Sequence, residues 1–239
     1  MTKFIAVAST KGGCGKTTVA LNLATTLVNM GRQVVLLEAN FSNPSIAVHL
    51  GSPKLPKTLN DAMHRREHIT KTAYLHGSGL KIIPSNLAVE EFKGLKPKDI
   101  SSRLEDSISA LHGTSDFVII DTAPGLDAVT QTVLRSSANL LVVTEPEMPS
   151  VLGALRTIKT ADELGCKING VVVNKLRLDN SDMPKENIEA ILENPVLCSI
   201  PDDSLARRAL ALKHPLVFTH ANSTSASAFR NLAEKLLEF

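Results

Sequence analysis

The sequence predicts an α/β fold: a doubly wound, mainly parallel sheet of about seven or eight strands with helices on both faces. Three observations carry that expectation. The chain opens with an apolar run, Lys3–Ala8, then a glycine-rich loop, then apolar residues at helical spacing from Val19 to Val28. Further short apolar runs recur at Gln33–Glu38, Asp116–Asp121, Ala138–Thr144, Ile168–Lys175 and Val196–Asp203. Runs that are apolar throughout, rather than alternating, suit strands covered on both faces. Between several of them lie segments of helical period, and strands alternating with helices build parallel sheets.

The first strand leads into Lys11-Gly12-Gly13-Cys14-Gly15-Lys16-Thr17-Thr18. Strand, glycine loop and helix is the context of a phosphate-binding loop. The glycines let the backbone curl so that its N–H groups converge on one oxyanion, and the helix N-terminus adds its positive dipole end. Lys16 supplies a point charge for the phosphates, and the Thr17 hydroxyl suits Mg²⁺. The plain form of this motif has glycine where Thr10 stands, and here a second lysine, Lys11, precedes paired glycines. Cys14 fills the free position of the loop as a small side chain.

Gly31 stops the first helix, and the second strand ends on Glu38-Ala39-Asn40. Polar groups at the carboxyl end of a parallel strand face the ligand crevice. Asn43–Gly51 reads as a loop entering a short helix. Residues 52–100 are the least readable: a short helix over Leu59–Arg66 and a strand over Gly79–Pro84 are expected. His64, His68 and His76 have no metal-ligand spacing and read as exposed polar positions, and Glu90-Glu91 reads as a solvated helix face. Ser101–Leu111 has helical spacing. The run Phe117–Ile120 ends on Asp121, followed by Thr122-Ala123-Pro124-Gly125; a carboxylate at such a strand end commonly holds a water on Mg²⁺. Ser150–Leu164 is a helix by spacing, stopped by Gly165. Asn174-Lys175 ends the next strand, and an asparagine amide can pair with both edges of adenine. Ser204–Leu212 and Ser223–Leu237 are the last helices.

Composition bounds the partners. The 239 residues read as one domain, 1–239, with 43% hydrophobic and 21% charged residues, ordinary for a globular chain. A net charge of +2 gives no strong pull toward nucleic acid or anionic membrane. With no Trp and one Tyr, a base-stacking surface is disfavoured. Cys14, Cys166 and Cys198 form no C-x-x-C pair, so a cytoplasmic setting is expected and no zinc or cluster site is suggested. No apolar run approaches the ~18 residues that span a bilayer.

Taken together, Lys-Gly-Gly-x-Gly-Lys-Thr-Thr, the Asp121-Thr-Ala-Pro-Gly125 segment and Val-Val-Val-Asn174-Lys resemble the MinD/ParA family of P-loop NTPases with a deviant Walker A loop, and the Glu38–Gly51 stretch and Leu59–Ala62 look most like its MinD branch in archaeal form. The resemblance implies a Mg²⁺-dependent ATPase, alternating between ATP and ADP, that works as a nucleotide-driven homodimer in cell division or spatial positioning with an unidentified regulatory protein. It implies that Gly12, Gly13, Cys14, Gly15, Lys16, Thr17 and Thr18 bind phosphate, that Thr17 and Asp121 set Mg²⁺, and that Lys11 acts in trans on the partner's nucleotide. Gly125 turns its N–H toward the γ-phosphate, Asn174 reads adenine, and Pro201, Asp202 and Asp203 close the base pocket. The family usually has Asp where Glu38 and Asn40 stand; these two are the catalytic positions of the first switch, and slow hydrolysis is the expectation. The terminal helix, with Glu234 and Glu238, reads as a core helix, so membrane binding without a partner is not expected. Two alternatives remain at this level: a ParA-like partition ATPase using Arg207, Arg208, Lys213, Arg230 and Lys235 on DNA, and a carrier ATPase of the iron-sulphur assembly type, which needs cysteine pairs absent from this sequence.

Overall fold

A computed structural model describes residues 1–51, 55–86, 96–177, 179 and 181–238. The expected helix face at Glu90-Glu91 lies outside them. Eight strands form one sheet in the order β3-β4-β2-β5-β1-β6-β7-β8. The strands are β1 Lys3–Ala8, β2 Val34–Ala39, β3 Tyr74–Leu75, β4 Lys81–Ile83, β5 Phe117–Thr122, β6 Asn139–Thr144, β7 Lys167–Leu176 and β8 Val196–Pro201. All neighbours are parallel except the short β3, which runs antiparallel to β4 at one edge.

The apolar runs explain the layering. Successive side chains of a strand point to opposite faces. Ile5, Val7, Leu36, Ile119, Leu141 and Val143 pack on one side with α1 (Lys16–Asn29) and α10 (Thr224–Glu238). Phe4, Ala6, Leu37, Ile120, Leu140 and Val142 pack on the other with α3 (Leu59–Met63), α4 (Pro97–Ser109), α5 (Ala128–Ser137), α6 (Met148–Glu163) and α7 (Lys185–Leu192). Burying both faces of β1, β5 and β6 is what makes these strands continuously apolar.

Gly31 does stop α1: at φ 82° it lets Arg32 N–H reach the Leu27 carbonyl and its own N–H reach Val28. The terminal helix α10 buries Phe229, Leu232, Ala233 and Leu236 against α1 and β8, as a core helix does. Among the described residues no helix is long and apolar enough to cross a membrane.

The crevice follows from the strand order. From β1 the chain first crosses to β2 and beyond, returns through β5, and only then crosses to β6 on the other side. The direction of winding therefore reverses at β1, and loops leaving the carboxyl ends of β1 and its neighbours part to leave an opening there.

Candidate functional site

The β1–α1 loop sits at that reversal. Gly13 and Gly15 have φ of 79° and 94°, the left-handed conformation that side chains resist, and Gly15 is also the N-cap of α1. A Cβ at Gly15 would lie 2.1 Å from Asn174 Nδ2, so glycine is required twice over. Cys14 is fully buried, its Sγ 3.4 Å from the Lys11 carbonyl, in keeping with a filler role. Lys16 is buried at 6% exposure and its Nζ donates to the Lys11 carbonyl at 3.1 Å, folded back over the loop that it closes. Thr10, where the plain motif has glycine, is tied to α6: its N–H donates to Thr157 Oγ1 and its hydroxyl to the Gly153 carbonyl.

Two buried carboxyl groups stand below the loop. Glu38 and Asp121 are register partners on β2 and β5. Asp121 Oδ2 accepts from Thr17 Oγ1 at 2.6 Å, whereas Asp121 Oδ1 is buried with no hydrogen-bond partner. Burial, with the Glu38 carboxylate adding to it, pushes the Asp121 carboxyl up to about 7; the bond from Thr17 and the charge of Lys16 act the other way. Glu38 accepts from the backbone N–H groups of Ser45 and Ile46 through Oε1 and of Ser85 through Oε2. Burial still raises its pKa against those three bonds. It therefore pins the start of α2 (Ile46–His49) and the end of β4, a positioning part that the sequence did not suggest.

Asn40 closes a turn at the carboxyl end of β2. Its Nδ2 donates to the Asn43 carbonyl and its Oδ1 accepts from the Asn43 N–H, so both ends of the amide close a turn. Ser45, which the sequence did not single out, places its hydroxyl 3.5 Å from Thr17 Oγ1.

Lys11 points to its own chain. Its Nζ donates to Glu145 and to Glu147, at the carboxyl end of β6. Both contacts hold its pKa above the ordinary value. Lys175 also reaches Glu145, at 2.5 Å, and the carbonyl of Gly13 at 2.7 Å. The two lysines hold the Glu145 carboxyl below its usual range although burial opposes them. The sequence offers Glu145-Pro146-Glu147 only as the close of the Ala138–Thr144 run, and nothing in it names the two lysines.

On the other flank a cavity of about 390 Å³ opens beside Gly13 and Gly15. Asn174, Pro201, Asp202 and Asp203 line it, with Ile200 and Phe229 as apolar wall. The Asn174 amide nitrogen donates to the Cys14 carbonyl at 2.8 Å, which joins the wall of the cavity to the loop. That bond uses one of the two N–H donors of the amide. Asp203 Oδ1 caps α8 (Ser204–Ala211) by accepting from the Leu205 N–H. Gly125, at φ 96°, follows Pro124, whose ring lies within 4 Å of the space above Gly12. The structure thus gathers the glycine loop, Lys16, Thr17, Asp121, Gly125, Asn174 and Pro201–Asp203 around one crevice.

An AAA domain family model matches residues 2–173. An uncharacterised ATP-binding protein of Methanocaldococcus jannaschii is 34% identical over 233 residues, covering 98% of this chain and 87% of that one. The chain belongs to the MinD/ParA family of P-loop ATPases. The septum site-determining protein MinD of Synechocystis is 30% identical over 245 residues, covering 99% of this chain and 90% of its own. Among solved structures, MinD of Pyrococcus horikoshii complexed with Mg-ADP superposes with a TM-score of 0.91 at 28% identity, covering 99% of this chain and 96% of that one. Archaeal MinD-like ATPases thus match along nearly the whole chain, and the family membership carries nucleotide hydrolysis as a general property.

Lys235 Nζ donates to the Leu197 carbonyl and Arg230 to the Ala221 carbonyl and Ser227, whereas Arg207 lines the nucleotide-side cavity. Among the described residues no group of three or more His, Cys, Asp or Glu could hold a metal ion by itself. His76, expected to be an exposed polar position, is instead half-buried and meets His214 at 3.2 Å.

Proposed function

We propose that this protein is a Mg²⁺-dependent ATPase whose nucleotide state switches a homodimer, acting in the manner of MinD in cell division or another spatial-positioning task. The observation that carries the reading is the pairing of a curled glycine loop with the orphaned Asp121 Oδ1. A hydroxyl and a carboxylate side by side are hard oxygen donors of the kind Mg²⁺ takes. Thr17 and Asp121 would hold the ion, directly or through a water, and when bound it neutralises phosphate charge. The chain's own residues do the rest. Backbone N–H groups of the loop and the first turn of α1 receive the β-phosphate, and Lys16 swings from the Lys11 carbonyl to the phosphates. Asn174 and Pro201–Asp203 hold the base. Phosphoryl transfer depends mainly on positioning and charge stabilisation, so a site without an obvious strong base still supports slow turnover.

Lys11 makes the dimer part of the mechanism. It is not needed to fill the loop and is held outside it by Glu145 and Glu147. Release from that pair would let it reach the nucleotide of a facing protomer. The reading is tested by equilibrium binding of a labelled ATP analogue with Mg²⁺ to the wild type and to Lys16→Ala. Binding by the wild type and loss in the variant is expected; equal affinity would remove the loop from the account.

A further inference from the structure

A surface separate from the crevice carries its own chemistry. Four of the large apolar side chains that stand exposed lie on two segments that meet at one corner: Val48 at 50% on α2, and Leu210 at 41%, Leu212 at 57% and Phe218 at 44% on 204–219. A third segment meets them there. His214 lies 3.2 Å from His76, Phe218 packs its ring on both histidines, and the Lys213 side chain covers Gly51. None of the three segments is acidic where it forms the corner: residues 39–60, 68–89 and 204–233 contain no Asp or Glu. Arg207, Arg208 and Lys213 are all exposed there. An overall charge of +2 hides this local imbalance.

The apolar part is concave at its centre. Between α8 and α2 lies a cleft of about 160 Å³, lined by Leu21, His49, Ala209, Leu210, His214 and Leu216. That volume suits one large aliphatic or aromatic side chain, not a cofactor. A cleft for one anchor residue, with Arg207 on its wall and Arg208 and Lys213 exposed on the flanking segment, has the anatomy of a protein-recognition hot spot with a charged rim. A flat anionic bilayer does not fill a cleft.

We propose that this corner is a docking surface for an acidic amphipathic segment of a partner protein, which places one apolar side chain between α8 and α2 and carboxylates against Arg207, Arg208 and Lys213. The cleft shares a wall with the nucleotide cavity: Thr18, Asn22, Ala206, Arg207 and Leu216 line both. Asn22 also accepts from the Val217 N–H, which ties α1 to the segment behind the cleft. An occupant of one cavity therefore leans on the wall of the other, and α2 adds the stretch that Glu38 anchors beside Thr17. The docking surface does not depend on the ATPase reading, since Leu210, Lys213 and His214 lie outside the nucleotide cavity.

The test uses a fluorescein-labelled helical peptide of about sixteen residues with leucines at i, i+3, i+4 and i+7 and glutamates elsewhere on that face. Anisotropy with the full chain, without nucleotide, is expected to show saturable binding. Leu210→Ser and Lys213→Glu are each expected to weaken it at least tenfold with an unchanged thermal midpoint, because both side chains are exposed. The same peptide with lysines in place of the glutamates is expected not to bind. Absence of binding at millimolar peptide, equal binding of the lysine peptide, or equal binding to both variants overturns the proposal. So does sedimentation of the protein with vesicles containing phosphatidylglycerol that Lys213→Glu abolishes, since a lipid surface would then be the occupant.

Discussion

Replacing Glu147 by Gln should tighten the ATP-dependent dimer. In the structure, Lys11 is held by Glu145 and Glu147 of its own chain, and the three side chains are 31%, 12% and 48% exposed. To act on a partner's nucleotide Lys11 must leave both. Removing the charge of Glu147, the more exposed partner, deletes one ion pair without burying an unpaired group. Half-exposed pairs contribute about 0.5–1 kcal/mol, well under the bare Coulomb energy. Each dimer opens two such latches, so the two protomers together give about 1–2 kcal/mol, or roughly 5- to 30-fold in the dimer dissociation constant. Sedimentation velocity over a concentration series, with a non-hydrolysable ATP analogue and Mg²⁺, measures it. The change should shrink as salt rises, because the pair is open to solvent. An unchanged constant would mean that the latch has no cost; a weaker dimer would mean that Glu147 itself contacts the facing protomer, and either result refutes the reasoning.

Gly15→Ala should abolish nucleotide binding and lower the thermal midpoint, because the new methyl meets Asn174 at 2.1 Å in a backbone conformation closed to alanine; calorimetry and analogue binding check both. Cys166 and Cys198 should resist a thiol reagent at pH 8, since burial pushes both thiols up to about 11. The same shifts make stability fall with alkalinity: the unfolded thiols lose protons from about pH 8.5, the folded ones only near 11, so denaturation midpoints should decline across that window, and flat midpoints in Cys166→Ala/Cys198→Ala would confirm the source.

Much of the crevice was legible because its signals are local. A glycine loop between a strand and a helix, an Asp at the end of Phe117–Ile120, and Asn174 at the end of β7 each announce themselves within a few residues. The sheet was legible because burial on both faces erases alternation. What stayed hidden depends on distant contacts. Lys11 and Glu145 are 134 positions apart, and nothing beside either one names the other. Glu38 accepts from the backbone of Ser45, Ile46 and Ser85, 47 positions away in the last case, and no neighbour of Glu38 in the sequence points to those contacts. Asn40 closes a turn with Asn43, a preference of asparagine that is visible locally. The helices α5 and α7 and the two-residue strand β3 were not assigned. Six of the ten residues of Ala-Val-Thr-Gln-Thr-Val-Leu-Arg-Ser-Ser are polar, and β3 is held by pairing with β4 alone.

The central claim is that nucleotide drives assembly through Lys11. Light scattering of the wild type with Mg²⁺ and ATP, with Mg²⁺ and ADP, and of Lys11→Ala with Mg²⁺ and ATP tests it in one experiment. The account predicts twice the monomer mass of 25.6 kDa only for the wild type with ATP, while Lys11→Ala still binds the nucleotide. A wild type that stays monomeric with bound ATP, or a Lys11→Ala protein that dimerises equally, would contradict it.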